Sequence, residues 1–104
     1  MINLVAVTAC PSGVAHTYLA AESLEVAAKK LGMGIHVETQ GSIGIENELT
    51  VEQIQQADVV ILTTDIAIKN EERFKGKAVV RFSAGDCIKK GELICKKLQE
   101  KLSK

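Results

Sequence analysis

Cys10 opens a segment of this 104-residue chain whose residue types and spacing suit nucleophilic chemistry: Cys10-Pro11-Ser12-Gly13-Val14-Ala15-His16-Thr17. It follows an apolar run and leads straight into a stretch of helical periodicity. A loop that feeds a helix faces unpaired backbone N–H groups and the positive end of the helix dipole, which together bind anions. Gly13 lets the backbone curl around a ligand, and Pro11 stiffens the entry without using up an N–H that a ligand needs. Ser12 and Thr17 add hydroxyl donors. The same positive field favours the thiolate of Cys10, and hence its nucleophilicity. A nucleophile beside an oxyanion nest describes phosphoryl transfer onto sulfur. The plainer alternative is a buried cysteine with no chemical role.

Other phosphate loops are excluded by what is missing. The chain has no G-x-x-x-x-G-K-[ST] and no G-x-G-x-x-G after a strand. The mechanical relative is the cysteine phosphatase loop, C-x5-R, but the position six after Cys10 is His16. The arginine that would clamp phosphate and stabilise the hydrolytic transition state is absent. A loop that accepts phosphate without that clamp suits a carrier.

The elements that must position this loop follow from hydrophobic periodicity. Residues 2–8 (INLVAVT) and 59–62 (VVIL) are continuous apolar runs, as strands buried on both faces are. Residues 35–39 (IHVET) alternate, which suits a strand wetted on one face, and 77–82 (KAVVRF) reads as a charged-flanked edge strand. Ala20, Leu24, Ala27, Ala28 and Leu31 form one helical stripe, closed by Gly32 as a left-handed cap. Thr50 and Gln53 form a capping box over a short helix ending near Ala57. Ser83 and Asp86 mark a last helix with Ile94, Leu98 and Leu102 on its stripe, which Gly91 breaks or kinks. This order predicts an α/β fold: a single domain over residues 1–104 with an open four-stranded parallel sheet and helices on both faces. Burial places the continuous runs in the middle, giving the order 2-1-3-4. The phosphate-binding loop follows strand 1, at the switch point where such sheets bind ligands.

Composition bounds the remaining classes. Hydrophobic residues make up 46% and charged residues 25%, which is globular, while 3% aromatics argue against base-stacking nucleic-acid modules. Thirteen cations balance thirteen carboxylates, so no global basic field attracts nucleic acid. The balance hides an asymmetry: residues 1–68 carry two lysines against eight carboxylates, a net −6, and residues 69–104 carry +6. The halves differ either in solvating charge alone or because one side meets a charged partner. Three cysteines without a C-x-x-C pair, and two histidines, predict neither a disulfide framework nor a metal site. No apolar run approaches the ~20 residues of a membrane span. Val7-Thr8-Ala9-Cys10 imitates a lipoprotein cleavage site, but only nine residues precede Cys10 and none is basic, so lipidation is not expected.

Residues 8–22 (TACPSGVAHTYLAAE) resemble the fructose-family enzyme IIB domain of the bacterial phosphoenolpyruvate-dependent sugar phosphotransferase system. The likeness extends to residues 37–44 (VETQGSIG) with Glu46-Asn47, then to 57–62 (ADVVIL), Asp65-Ile66-Ala67 and Arg73-Phe74. It weakens after about Arg81. Ser12 stands where the family pattern has Thr and keeps the hydroxyl; Leu19 stands where Met is common.

The resemblance implies a phosphotransferase in which Cys10 takes a phosphoryl group from a phosphohistidine of enzyme IIA. Cys10 then passes it to fructose, or a fructose-like sugar, at the membrane component enzyme IIC. It also implies that Pro11, Ser12, Gly13, Val14, Ala15, His16 and Thr17 hold the phosphate, with no metal, nucleotide or other cofactor at this step. The implied protein is a cytoplasmic monomer, peripherally associated with the sugar permease. A low-molecular-weight cysteine phosphatase and a thiol redox protein are the alternatives; the first lacks its arginine and the second a resolving cysteine near Cys10.

Other residues carry two readings each. His16 either hydrogen-bonds the phosphoryl group or packs at the helix start. Asp65, after the third strand, either orients the loop from behind or caps a turn. Gln40, Gly41, Ser42 and Gly44 form either a docking rim or a surface turn. Cys87 and Cys95 behave as small hydrophobes, and His36 is expected on the solvent side of its strand.

Overall fold

The structure, a computed structural model, describes residues 2–9, 14–41 and 44–102, with backbone alone for Val14 and Ala15. Five strands form one mixed sheet in the order β3-β2-β1-β4-β5: β1 (Asn3–Ala9), β2 (Gly34–Gly41), β3 (Gly44–Glu46), β4 (Val59–Thr63) and β5 (Val79–Phe82). Neighbours among β2, β1, β4 and β5 pair in parallel, and β3 pairs antiparallel with β2. The expected four-stranded, all-parallel sheet is therefore corrected. Gly44–Glu46 is too short, and too rich in turn residues around it, for periodicity to reveal it as a strand. It forms because β2 ends in Gly41 and the chain folds back to cover that edge, pairing Gly41 with Gly44.

Helix α1 (Val14–Lys30) and helix α3 (Ala84–Leu102) pack on one face of the sheet, against Leu4, Ala6, Val37 and Ile61. On the other face, helix α2 (Val51–Gln56) and a 3-10 helix (Glu71–Phe74) cover Val5, Val7, Val60 and Leu62. The central strands are buried on both sides, as their unbroken apolar runs require.

The helix ends follow their local chemistry. Gly32 takes φ +75°, and two bonds close α1 around it, Gly32 N–H to Lys29 O and Met33 N–H to Ala28 O. Both arms of the Thr50–Gln53 capping box are made. Ser83 Oγ accepts the Asp86 amide at the start of α3. Lys90 has non-helical angles (φ −124°, ψ 24°), so α3 kinks just before Gly91. A Cβ at Gly91 would lie 3.2 Å from the Ser23 carbonyl of α1. The glycine thus gives the Ser23 backbone of α1 room to approach α3 closely.

Candidate functional site

The end of β1 is held from both sides. Thr63, the last residue of β4, uses one hydroxyl twice: Oγ1 accepts the Ala9 amide at 2.9 Å and donates to the Ala9 carbonyl at 3.1 Å. On the other flank, Ala9 is in register with Gln40 of β2. The strand that delivers Cys10 therefore ends in a backbone clamped by a buried side chain. Cys10, Pro11, Ser12 and Gly13, and the side chains of Val14 and Ala15, lie outside the described residues.

Helix α1 begins at Val14, so only residues 10–13 separate the clamped strand from the helix N-terminus. The first turn of α1 carries no acidic residue. Nothing in it opposes an anion at the positive end of the dipole. Thr17 closes that turn fully buried; its carbonyl accepts from Thr8 Oγ1 at 3.1 Å. Thr17 Oγ1 and Thr39 Oγ1 are buried and have no hydrogen-bond partner among the described residues. Thr39 is in register with Thr8, so three threonines meet under the start of α1. His16 is exposed in the same turn.

Asp65 directs Oδ1 to the Ala84 amide at 2.7 Å and so caps α3. Of the rim residues, Gln40 is not a surface turn residue. Its side chain is buried, its Nε2 donates to the Lys69 carbonyl at 3.0 Å, and its Oε1 accepts the Lys69 amide at 2.8 Å. Ser42 lies outside the described residues, and Gly44 is exposed. Tyr18 donates its phenol to Glu46 Oε1, tying α1 to β3; the carboxylate holds the phenol pKa above its ordinary value.

Sequence reasoning missed the buried pair formed by Glu38 and Arg73. The alternation of residues 35–39 predicts one wetted face, and His36 is indeed exposed. Glu38, on that same face, is fully buried. It accepts from Arg73 Nη1 at 2.7 Å and Nη2 at 2.8 Å, from Gln40 Nε2 at 2.8 Å and from the Leu49 amide at 3.0 Å. Burial raises its pKa, but the Arg73 fork, Gln40 and the Leu49 amide outweigh that and hold the carboxyl below its ordinary value. Arg73 also donates Nε to the Asn70 carbonyl at 2.8 Å and lies 4.8 Å over the Phe74 ring. The available signal was Arg73-Phe74 itself, a cation beside an aromatic ahead of an edge strand.

Cys87 and Cys95 are buried on the α1/α3 face, and burial pushes their thiols up to about 12 and about 11. Burial thus disfavours the thiolate at both positions. Among the described residues no group of three or more His, Cys, Asp or Glu could hold a metal ion, and no helix is long and apolar enough to cross a membrane.

The sequence family described as PTS system, Lactose/Cellobiose specific IIB subunit matches residues 5–97. The chain belongs to the PTS enzyme IIB family. Components of this family are phosphotransferase domains, and this IIB chain is one. It is 58% identical over 103 residues to the PTS system fructose-like EIIB component 2 of Escherichia coli K12, covering 99% of this chain and 97% of that one. It is 50% identical over 90 residues to the PTS system fructose-specific EIIB'BC component of Haemophilus influenzae, where 86% of this chain spans 16% of the relative. Among solved structures it superposes with TM-score 0.87 and 56% identity on a domain of the fructose-specific IIABC component of Borrelia burgdorferi, covering 92% of this chain and 91% of that one. The mixed five-stranded α/β sheet is thus the fold of a IIB domain.

Proposed function

We propose that this IIB chain carries phosphoryl groups on Cys10 in sugar uptake. The thiolate attacks the phosphorus of a phosphohistidine on enzyme IIA; the S–P bond forms as the N–P bond breaks and the imidazole leaves. A sugar hydroxyl at enzyme IIC then attacks the same phosphorus. The S–P bond breaks, the thiolate is restored, and the hydroxyl proton passes to a base or to water. Throughout, the N-terminal amides of α1 stabilise charge on the phosphoryl oxygens, with residues 11–17 around them. The acceptor is fructose or a fructose-like sugar, in line with the fructose-like and fructose-specific relatives. The fused IIB'BC name of the Haemophilus relative and the IIABC name of the Borrelia one support IIA and IIC as donor and acceptor components. The protein acts as a cytoplasmic monomer at the permease, and no metal or nucleotide takes part in the step.

The observation that carries this reading is the passage from a strand clamped at Ala9 to an acid-free helix start at Val14, with Cys10 first in the intervening loop. Incubation with phosphoenolpyruvate, the general phosphotransferase proteins and a matching enzyme IIA should add one phosphoryl group, on Cys10. Cys10→Ser should abolish transfer, since an alcohol supplies almost no anion and is a poorer leaving group. His16→Ala should retain part of it, because backbone amides supply most of the binding. Label on His16 or His36 in a Cys10→Ser protein would sink the mechanism. Rapid turnover of p-nitrophenyl phosphate would point to a phosphatase instead.

A further inference from the structure

The sheet order places β1 between β2 and β4. Thr63 ends β4 on one flank, yet the backbone of Lys69, six residues later, is held by Gln40 of β2 on the other flank. Residues 64–69 must therefore cross the C-terminal end of β1, where Ala9 hands over to Cys10. They cross on the α2 face, since Ile68 packs in the same cluster as Ala9. Helix α1 starts on the opposite face. The end of β1 at Ala9 thus lies between the face on which α1 starts and this crossing strap, whose Thr64, Asp65, Ile66 and Ala67 are exposed.

The strap is fastened at both ends. At its start, the Thr64 amide donates to the Phe82 carbonyl at 3.1 Å and Asp65 holds the Ala84 amide. At its far end the Gln40 amide grips both backbone groups of Lys69, and Arg73 Nε grips the Asn70 carbonyl. Gln40 and Arg73 are in turn fixed by the same buried carboxylate, Glu38. A bidentate guanidinium–carboxylate pair fixes direction as well as distance. Fully buried charge of this kind is weak evidence for stability, because a well-packed apolar group often serves as well. Its role here is geometric.

We propose that residues 64–69 form the second wall of the Cys10 site, and that Glu38, Gln40 and Arg73 are positioning residues that set this wall for phosphoryl transfer. The inference rests on the phosphocysteine reading above. A wall displaced by about 1 Å can cost ~100-fold in rate when reacting atoms must be aligned.

The test is single-turnover transfer from phosphorylated enzyme IIA, followed over a range of its concentrations, with Cys10→Ser run in parallel. Gln40→Leu keeps the side-chain bulk and removes the clamp. It should lower the limiting rate by roughly 10- to 100-fold, with the half-saturating enzyme IIA concentration unchanged. Iodoacetamide alkylation of Cys10 should stay within about twofold, since the dipole of α1 still acts on it. A wild-type limiting rate in a folded Gln40→Leu protein would overturn the inference, as would a change confined to half-saturation. Should Gln40→Leu not fold, Ala67→Gly at an exposed position of the strap carries the test: a lowered limiting rate supports the wall and an unchanged one refutes it. If Cys10→Ser still accepts phosphate, the phosphocysteine reading falls and takes the inference with it. If Cys10→Ser is dead while Gln40→Leu and Ala67→Gly transfer at full rate, the inference alone falls.

Discussion

The two faces of the sheet treat buried ionisable groups in opposite ways. Under α1 and α3, the Cys87 and Cys95 thiols are buried among aliphatic side chains and pushed up to about 12 and about 11. Under α2 and the 3-10 helix, Glu38 is just as buried, yet its carboxyl is held below its ordinary value. Burial alone does not explain the difference, because it disfavours the charged form in all three. What differs is the donors: Glu38 has the Arg73 fork, Gln40 and a backbone amide, whereas among the described residues no comparable donors stand beside Cys87 or Cys95. One face excludes charge, and the other is built around it.

Thiol reactivity is the sharpest probe of the dry face. At pH 8 a thiol with a pKa of about 11 is roughly one-thousandth ionised. Iodoacetamide should therefore modify Cys10 of the native protein on the order of a thousandfold faster than Cys87 or Cys95, read by mass spectrometry of digested samples. Equal rates at all three would erase the contrast.

Removing charge from the other face comes next. Glu38→Gln leaves the Arg73 guanidinium without its anion and should cost about 3–5 kcal/mol in urea unfolding. Leu24→Ala, on the dry face, should cost about 2–5 kcal/mol, so size does not separate the two. Their pH dependence does. Because the folded pKa of Glu38 is depressed, its contribution is fully present above the unfolded value near 4.5 and is lost as pH falls through the lower folded value. The Glu38→Gln deficit should thus shrink below about pH 4.5, while the Leu24→Ala deficit stays constant. Parallel pH curves for the two variants would refute the charge-holding face.

The smallest effect concerns packing alone. Gly91→Ala puts a methyl 3.2 Å from the Ser23 carbonyl, at the α1–α3 contact. It should destabilise by about 1–3 kcal/mol even though alanine favours helix by ~1 kcal/mol. A stabilised variant would show that α3 slides freely on α1 and that the dry face is loosely packed.

How far the sequence reached can be judged residue by residue. Gly32, Thr50, Gln53 and Ser83 act through neighbours a few residues away, so their capping roles were legible from spacing. The apolar runs of β1 and β4 announced burial on both faces because no solvent-compatible residue interrupts them. Cys10 was legible as a candidate for the same reason: in the chain it falls between a strand end and a helix start, and a helix N-terminus favours anions.

What only the tertiary structure decided involves partners distant in the chain. Glu38 and Arg73 stand 35 residues apart, and the alternation around Glu38 reads as a wetted face until the 3-10 helix is seen to cover it. Thr63 meets Ala9 across 54 residues, because parallel pairing brings the ends of β4 and β1 level. β3 has three residues, too few for a period, and it exists only because β2 offers an open edge. Local pattern records what a residue does to its own backbone within a turn or two. Which buried charge finds its counter-charge, and which strand edge is covered, depends on how the layers close, and that is a property of the packed chain.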